Sequence, residues 1–128
     1  MTAKGRTALR RTAGILFLAA VAGVIFYFSH QPQIELVPPL FPWQDKALHF
    51  AEFFLLGVAL YANRGLRPWW GTGFMLAAGS VYALSDEIHQ SFVPGRDCSV
   101  QDMLADVAGL LISVLLLRWW VGKRRRKG

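Results

Sequence analysis

The sequence predicts an all-α, polytopic membrane protein with four transmembrane helices and both termini in the cytoplasm. Two observations on composition point to this class. The chain of 128 residues is 54% hydrophobic and only 17% charged, whereas soluble domains usually carry about 25% charged residues. Four apolar stretches, each close to the ~20 residues that a bilayer requires, make up most of the chain; they are Ala13–Ser29, Ala47–Asn63, Trp69–Leu84 and Met103–Val121.

The third observation is the segregation of charge, which predicts the side of the membrane on which each segment lies. Twelve of the 14 Lys and Arg residues lie in residues 1–12, in the 64–68 turn or after residue 117. Because cytoplasmic loops are enriched in Lys and Arg, we expect both termini and that turn to be cytoplasmic. The acidic 30–46 and 85–102 loops would then face outward from the cytoplasmic (inner) membrane. The net charge of +6 is therefore a topology signal, and we expect the lipid bilayer and no nucleic acid as partner.

The chain has room for one domain. Residues 1–12 form a basic cytoplasmic lead, for which we predict no regular structure. Residues 13–121 form the multi-pass membrane domain, and residues 122–128 are a basic cytoplasmic tail. The first helix is predicted to be uncleaved, because the bulky residues 26–29 do not suit a signal-peptide cleavage site.

The remaining helices are bounded by recognisable signals. Tryptophan pairs at 69–70 and 119–120 mark the cytoplasmic ends of the third and fourth helices, where aromatic belts lie. Pro94-Gly95 predicts a tight turn before the fourth helix, which would place Arg96 over the outer helix ends. Either Asp102 or Ser99 would cap the fourth helix.

Ionisable and polar side chains recur at helical spacing at the outer ends of the last three helices. Residues three or four apart share one helix face, and ionisable groups inside a membrane are costly unless they pair or serve a function. The three stripes therefore predict one inward-facing site. They comprise Asp45, His49 and Glu52 on the second helix, Asp86, His89 and Gln90 on the third with Glu87 turned partly aside, and Asp102 and Asp106 on the fourth.

Three segments resemble the VanZ-like family of integral membrane proteins, named for a teicoplanin-resistance protein. They are DKALHFAEFFLLG at 45–57, DEIHQSFVPGR at 86–96 and DMLADVAG at 102–109, and the resemblance covers about residues 40–115. It implies a small multi-pass envelope protein without a defined reaction. The family pattern extends to Asp45, Lys46, His49, Glu87, Gln90, Pro94, Gly95, Arg96, Asp102 and Gly109, while Glu52, Asp86, His89 and Asp106 fit one branch of the family.

The leading functional hypothesis is that the site binds or processes an anionic lipid-linked headgroup at the outer leaflet. Lys46 and Arg96 would hold phosphate, and His49 or His89 would act as acid or base, oriented by Glu52 or Asp86. The catalytic candidates are His49, Glu52, Asp86, Glu87 and His89. The substrate-binding candidates are Asp45, Lys46, Gln90, Arg96, Asp102 and Asp106.

Other hypotheses remain open, and the sequence does not decide whether the protein is an enzyme. A non-catalytic protein could bind a cell-wall precursor or glycopeptide and so alter teicoplanin susceptibility. Alternatively, the polar cluster could have a purely structural role and hold the helix ends together. Each hydrogen bond would then contribute about 0.6 kcal/mol to stability. In a metal-dependent version, zinc or iron would be bound, although the spacings match no established metal motif. Its ligands would be His49, Glu52, Asp86 and His89, with Asp106 as a further candidate.

Overall fold

The computed structural model describes residues 2–32, 41–66 and 69–127. Within these ranges the chain forms four α-helices and no strand, which confirms the all-α prediction. The helices are α1 (Ala3–Ser29), α2 (Gln44–Ala62), α3 (Thr72–Gln90) and α4 (Val100–Arg125). Residues 33–40 between α1 and α2 and residues 67–68 between α2 and α3 lie outside the described residues.

The first and last helices extend beyond the apolar stretches that predicted them. Helix α1 begins at Ala3, so the basic lead is helical and our expectation of no regular structure there is wrong. The side chain of Thr2 accepts a hydrogen bond from the backbone N–H of Gly5 at 3.2 Å and caps the helix. A capped N-terminus satisfies an otherwise unpaired donor, and extending an existing helix is easier than nucleating one. Helix α4 likewise runs on to Arg125.

The four helices alternate in direction, so that like ends lie together. At one end, Asn63 Nδ2 on the residue after α2 donates to Gly14 O of α1 at 2.9 Å. Arg118 Nη1 of α4 donates to Thr72 Oγ1 of α3 at 3.1 Å at this same end. The opposite end gathers the last turns of α1 and α3 and the first turns of α2 and α4. Because it carries all seven acidic residues that the structure describes, we call it the acidic end.

Helices α2 and α4 form the most extensive interhelix contact in the described chain. Gly109 lies against the backbone of Phe50 and Phe54, so closely that a Cβ atom there would overlap Phe50 O. Gly57 lies in the same way against Ser113 Oγ. Small residues let helix backbones approach in membrane proteins, and here they bring the first turns of α2 and α4 together.

The buried apolar core occupies the middle of the bundle, and α1 has fewer buried residues than each of the other three helices. The only buried residues of α1 are Val21, Ile25 and Ser29. Tyr82 of α3 donates from its hydroxyl to Ala22 O at 2.7 Å and holds α1 near its centre. The core cluster comprises Val21, Ile25, Phe53, Leu56, Ala59, Leu60, Tyr61, Met75, Ala83, Leu110 and Val114.

Two of the four described helices, α1 and α4, are long and apolar enough to cross a bilayer by length and composition. Helices α2 and α3 have only 19 residues each, so almost any span of them includes the polar residues of the acidic end, whereas the longer α1 and α4 contain a long apolar segment beyond their charged turns. Large apolar side chains are nevertheless exposed on all four helices, for example Phe17 on α1, Leu55 on α2, Val81 on α3 and Leu116 on α4.

Candidate functional site

A buried group of three ionisable side chains, one from each of α2, α3 and α4, lies at the acidic end. His49 Nδ1 is 2.9 Å from Asp106 Oδ1 and 3.9 Å from Glu87 Oε1. His49 is 4% exposed, Glu87 1% and Asp106 0%. We call these residues the buried triad. Burial of ionisable groups costs free energy unless they are paired. The convergence of these three residues therefore indicates a role in structure or in chemistry.

The position of Glu87 differs from the prediction. Helical spacing led us to expect Glu87 to turn partly aside, whereas it lies at the centre of the contact between α3 and the other two helices. Its Oε2 accepts a hydrogen bond from the backbone N–H of Ser99 at 2.7 Å, which ties the end of α3 to the start of α4. Its other carboxylate oxygen is the one that faces His49.

Lys46 forms a second cluster next to the buried triad. Its Nζ is 2.6 Å from Asp102 Oδ1 and 3.1 Å from Asp45 Oδ2. Asp102 is therefore engaged in an ion pair, and Ser99 is the cap of α4, since Ser99 Oγ accepts from the backbone N–H of Asp102 at 3.3 Å. The sequence offered Asp102 and Ser99 as candidates for the cap, and Ser99 is the one that caps the helix.

Arg96 joins the α3–α4 turn to the last turn of α3 and to the end of α1. The turn closes at Gly95, whose φ of 78° favours glycine. Arg96 Nη1 donates to Gln90 Oε1 at 3.2 Å, and Gln90 Nε2 donates to Asp86 Oδ2 at 2.8 Å. Arg96 Nε and Nη2 donate to the carbonyls of Gln31 and Phe28, each at 3.2 Å. The prediction that Arg96 lies over the outer helix ends agrees with these contacts.

His89 is not brought together with the buried triad. Its Nε2 is 3.2 Å from Nδ1 of His30, just after α1, and its ring lies 4.8 Å from that of Phe26 between centroids. The ring faces α1 and the surface, whereas Asp86 on the same helix is buried. His89 and Asp86 therefore do not form the acid–base pair that the sequence suggested.

A cavity of about 180 Å³ opens at the acidic end. It joins predicted site residues from α2, α3 and the α3–α4 turn to the last turn of α1, which was not among the predicted parts of the site. Nothing in the sequence marked this contribution, because the first apolar stretch simply ends there. We call the cavity the outer pocket, after the orientation predicted for the acidic end. It is lined by Phe28, Ser29, Asp45, Leu48, His49, Glu52, Gln90 and Arg96.

A larger, more open cavity of about 640 Å³ lies at the opposite end of the bundle. Three of its lining residues are the basic Arg64, Arg118 and Arg125, and Trp70 also lines it. None of the predicted site residues contributes to it. Its size alone does not make it the functional site, because its lining includes no carboxylate, cysteine or histidine.

Two sets of side chains in the described chain have the ligand atoms that a metal ion needs. One is the buried triad, and the other is Asp45, His49 and Asp102. The ligand set suggested by the sequence, with His89 and Asp86, is not assembled.

The outer pocket offers three kinds of interaction to a ligand. Glu52 can accept hydrogen bonds and Arg96 can donate them. His49, held by Asp106, can transfer a proton.

Comparison with known proteins identifies one family. The family model described as VanZ/LLP1 matches residues 14–121, from the start of the apolar part of α1 almost to the end of α4. No curated protein and no solved structure gives a significant match to the chain. The matched family and the two apolar helices α1 and α4 together indicate a membrane protein. Because the match covers most of the sequence and all four helices, the chain belongs to the VanZ/LLP1 family.

Proposed function

We propose that this protein spans the cytoplasmic membrane four times and binds the anionic headgroup of a lipid-linked cell-envelope component at the outer face. The observation that carries the proposal is the outer pocket, in which Arg96 and His49 line one cavity. The pocket lies at a helix end and is bordered by apolar side chains, as a site for a lipid headgroup requires.

The distribution of polar and apolar side chains supports four spans. Ionisable residues such as Glu87 and Asp106 are buried between the helices, while large apolar side chains are exposed on every helix. A large apolar surface of this kind is unusual for a soluble monomer and suits contact with lipid. Helices α2 and α3 have 19 residues each, which corresponds to about 28 Å and approaches the hydrocarbon thickness of a bilayer.

The charge at the other end supports the outward orientation of the acidic end. Arg124 lies over the ring of Trp120, with 3.9 Å from its Cζ atom to the ring centroid. Lys123 Nζ lies 5.0 Å from the centroid of Trp119. Basic and tryptophan side chains together are typical of the cytoplasmic membrane interface, so the acidic end would face the exterior.

Arg96 is the residue best placed to hold an anionic group in the outer pocket. A guanidinium has five N–H donors, and the three described hydrogen bonds of Arg96 use one on each nitrogen. One N–H on each terminal nitrogen remains, and a phosphate can accept both. Lys46, the other predicted phosphate ligand, is instead engaged by two aspartates, so the phosphate contact rests on Arg96.

If the bound headgroup is also processed, His49 is the acid–base candidate. It lines the outer pocket, and Asp106 holds its Nδ1 at 2.9 Å, an arrangement that fixes the ring and leaves Nε2 for proton transfer. His89 has no part in this proposal. A catalytic protein would release a product from the lipid, whereas a binding protein would retain the lipid unchanged.

Recovery of native lipid tests the proposal. We would purify the wild-type protein from membranes, extract the bound lipid and quantify lipid phosphates by mass spectrometry. Arg96→Gln should lower the recovered anionic lipid about tenfold, because hydrogen bonds between charged groups contribute about 1.5–3 kcal/mol. Arg118→Gln, a matched change at the other end of the bundle, should leave recovery unchanged.

Equal lipid recovery from wild type and Arg96→Gln, with both proteins folded as judged by circular dichroism, would refute the headgroup site.

An assay in cells complements the lipid-recovery measurement. Since the family is named for teicoplanin resistance, we also propose that loss of Arg96 changes teicoplanin susceptibility of cells that express the protein.

A further inference from the structure

We infer that His49, Glu87 and Asp106 form a binding site for one divalent transition-metal ion. The inference goes beyond headgroup binding, since a metal ion can bind these residues whether or not a lipid occupies the outer pocket. It differs from the metal set that the sequence suggested in two ways: it includes Glu87, and it excludes Glu52, Asp86 and His89.

The geometry of the buried triad is close to that of a metal site. One ligand atom from each residue can be chosen so that all three lie within 4.8 Å of one another. His49 Nδ1 lies 2.9 Å from Asp106 Oδ1 and 3.9 Å from Glu87 Oε1. Tetrahedral zinc with bonds of about 2.1 Å separates its ligand atoms by about 3.4 Å, between these two values. Small side-chain rotations would therefore complete the coordination.

Unpaired carboxylate oxygens provide an independent observation. Glu87 Oε1 and Asp106 Oδ2 are both buried without a hydrogen-bond partner among the described residues. A single proton on His49 Nδ1 can serve only one acceptor well, and it is 2.9 Å from Asp106 Oδ1. Leaving buried carboxylate oxygens unpaired is costly, and a cation between them would satisfy both residues at once.

The charge balance at the acidic end also supports a bound cation. Among the described residues, no lysine or arginine forms an ion pair with Glu87 or Asp106. In the alternative group of Asp45, His49 and Asp102, both carboxylates already form ion pairs with the ammonium of Lys46. Of the two candidate metal-binding groups, the buried triad is therefore the one in which a metal ion would not compete with Lys46.

The ligand types select the class of ion. An imidazole nitrogen with two carboxylates suits Zn²⁺, Mn²⁺ or Fe²⁺, whereas Mg²⁺ and Ca²⁺ prefer oxygen ligands alone. Since His49 also lines the outer pocket, an ion bound to it would add positive charge close to the place where an anionic headgroup is proposed to bind.

Zinc titration of the purified protein in detergent tests the inference. After treatment with a chelator, wild type should bind one Zn²⁺ per chain. Asp106→Asn and Glu87→Gln preserve side-chain shape but remove a charged ligand, and each should weaken binding at least tenfold. The matched control is Asp97→Asn, which changes an exposed acid of the same end and should bind Zn²⁺ like wild type.

A second measurement keeps the inference testable if a variant fails to fold. Bound Co²⁺ in wild type should show the intense visible absorption of a four-coordinate site with nitrogen and oxygen ligands. Wild type that binds no stoichiometric Zn²⁺, or that gives only the weak spectrum of aqueous Co²⁺, would overturn the inference, as would unchanged affinity in both carboxyl variants. These measurements use no lipid, so their failure is separate from a failure of the Arg96 lipid assay.

Discussion

Gly109 is the residue at which one methyl group should change the packing of two helices. A Cβ atom there would overlap Phe50 O and lie 3.0 Å from Phe54 N, both of them backbone atoms that cannot rotate away. We predict that Gly109→Ala lowers the free energy of unfolding by about 1–3 kcal/mol, the usual cost of overpacking. Thermal unfolding in detergent, followed by circular dichroism, would measure it.

The control for this prediction is Gly122→Ala in the same helix. A Cβ atom at Gly122 meets no atom within 4 Å, and alanine favours helix by up to about 1 kcal/mol over glycine. The control should therefore be as stable as wild type or slightly more stable. Similar unfolding temperatures for the two variants would contradict the close contact between α2 and α4.

Residues 86–90 illustrate what helical spacing can and cannot predict. A helix turns about 100° per residue, so the sequence fixes the angles between Asp86, Glu87, His89 and Gln90. It does not fix the rotation of the whole helix against its neighbours, which depends on side-chain packing. Here the helix is rotated so that Glu87 faces inward and His89 lies at the edge, next to α1. Three of the four side chains are buried as a result.

At the scale of the helices, α1 is held by few buried side chains and by specific hydrogen bonds. Tyr82→Phe removes the bond from the Tyr82 hydroxyl to Ala22 O. Hydrogen bonds between membrane helices contribute about 0.6 kcal/mol on average, so we predict a loss of about that size in unfolding free energy. Chemical denaturation in mixed micelles would measure it.

Tyr27→Phe is the control for this change, since it removes the same hydroxyl from an exposed residue of α1. It should leave stability unchanged. A loss for Tyr82→Phe no larger than for Tyr27→Phe would show that the Tyr82 contact contributes nothing to the attachment of α1.

The centres of all four helices could be predicted from sequence, but their ends could not. Hydropathy marks the apolar part of a helix, whereas the helix itself continues until its backbone groups find other partners. This is why α1 begins at Ala3 and α4 runs to Arg125, well beyond the apolar stretches. The cap of α4 was also ambiguous, because Ser99 and Asp102 are both good capping residues and only the ion pair of Asp102 with Lys46 separates their roles.

For the whole molecule, the proposed orientation makes a direct prediction about reporter fusions. An enzyme reporter that is active only outside the cytoplasm should be active when fused after Pro94 and inactive when fused after Gly65 or Lys127. The reason is that Pro94 lies at the acidic end, while the other two positions follow basic segments that we expect to remain in the cytoplasm. A cytoplasmic signal at Pro94 would contradict both the topology and the outward-facing pocket.

The assembly of a single polar site could be anticipated at this scale, because alternating helices bring their like ends together. The part played by α1 could not. Its contribution consists of the backbone carbonyl of Phe28, the carbonyl of Gln31 just beyond the helix, and the walls that Phe28 and Ser29 give to the pocket. Every residue has a backbone carbonyl, so no pattern of side chains indicates which ones will be used.

The apolar border of the outer pocket has a consequence for how a ligand would arrive. Phe28 and Leu48 both line the pocket, and both are about half-exposed on the outer surface of the bundle. In the proposed orientation that surface contacts lipid, so the pocket opens sideways into the outer leaflet. A lipid could diffuse within the membrane plane and insert its headgroup beside Arg96 while its hydrocarbon chain never left the bilayer.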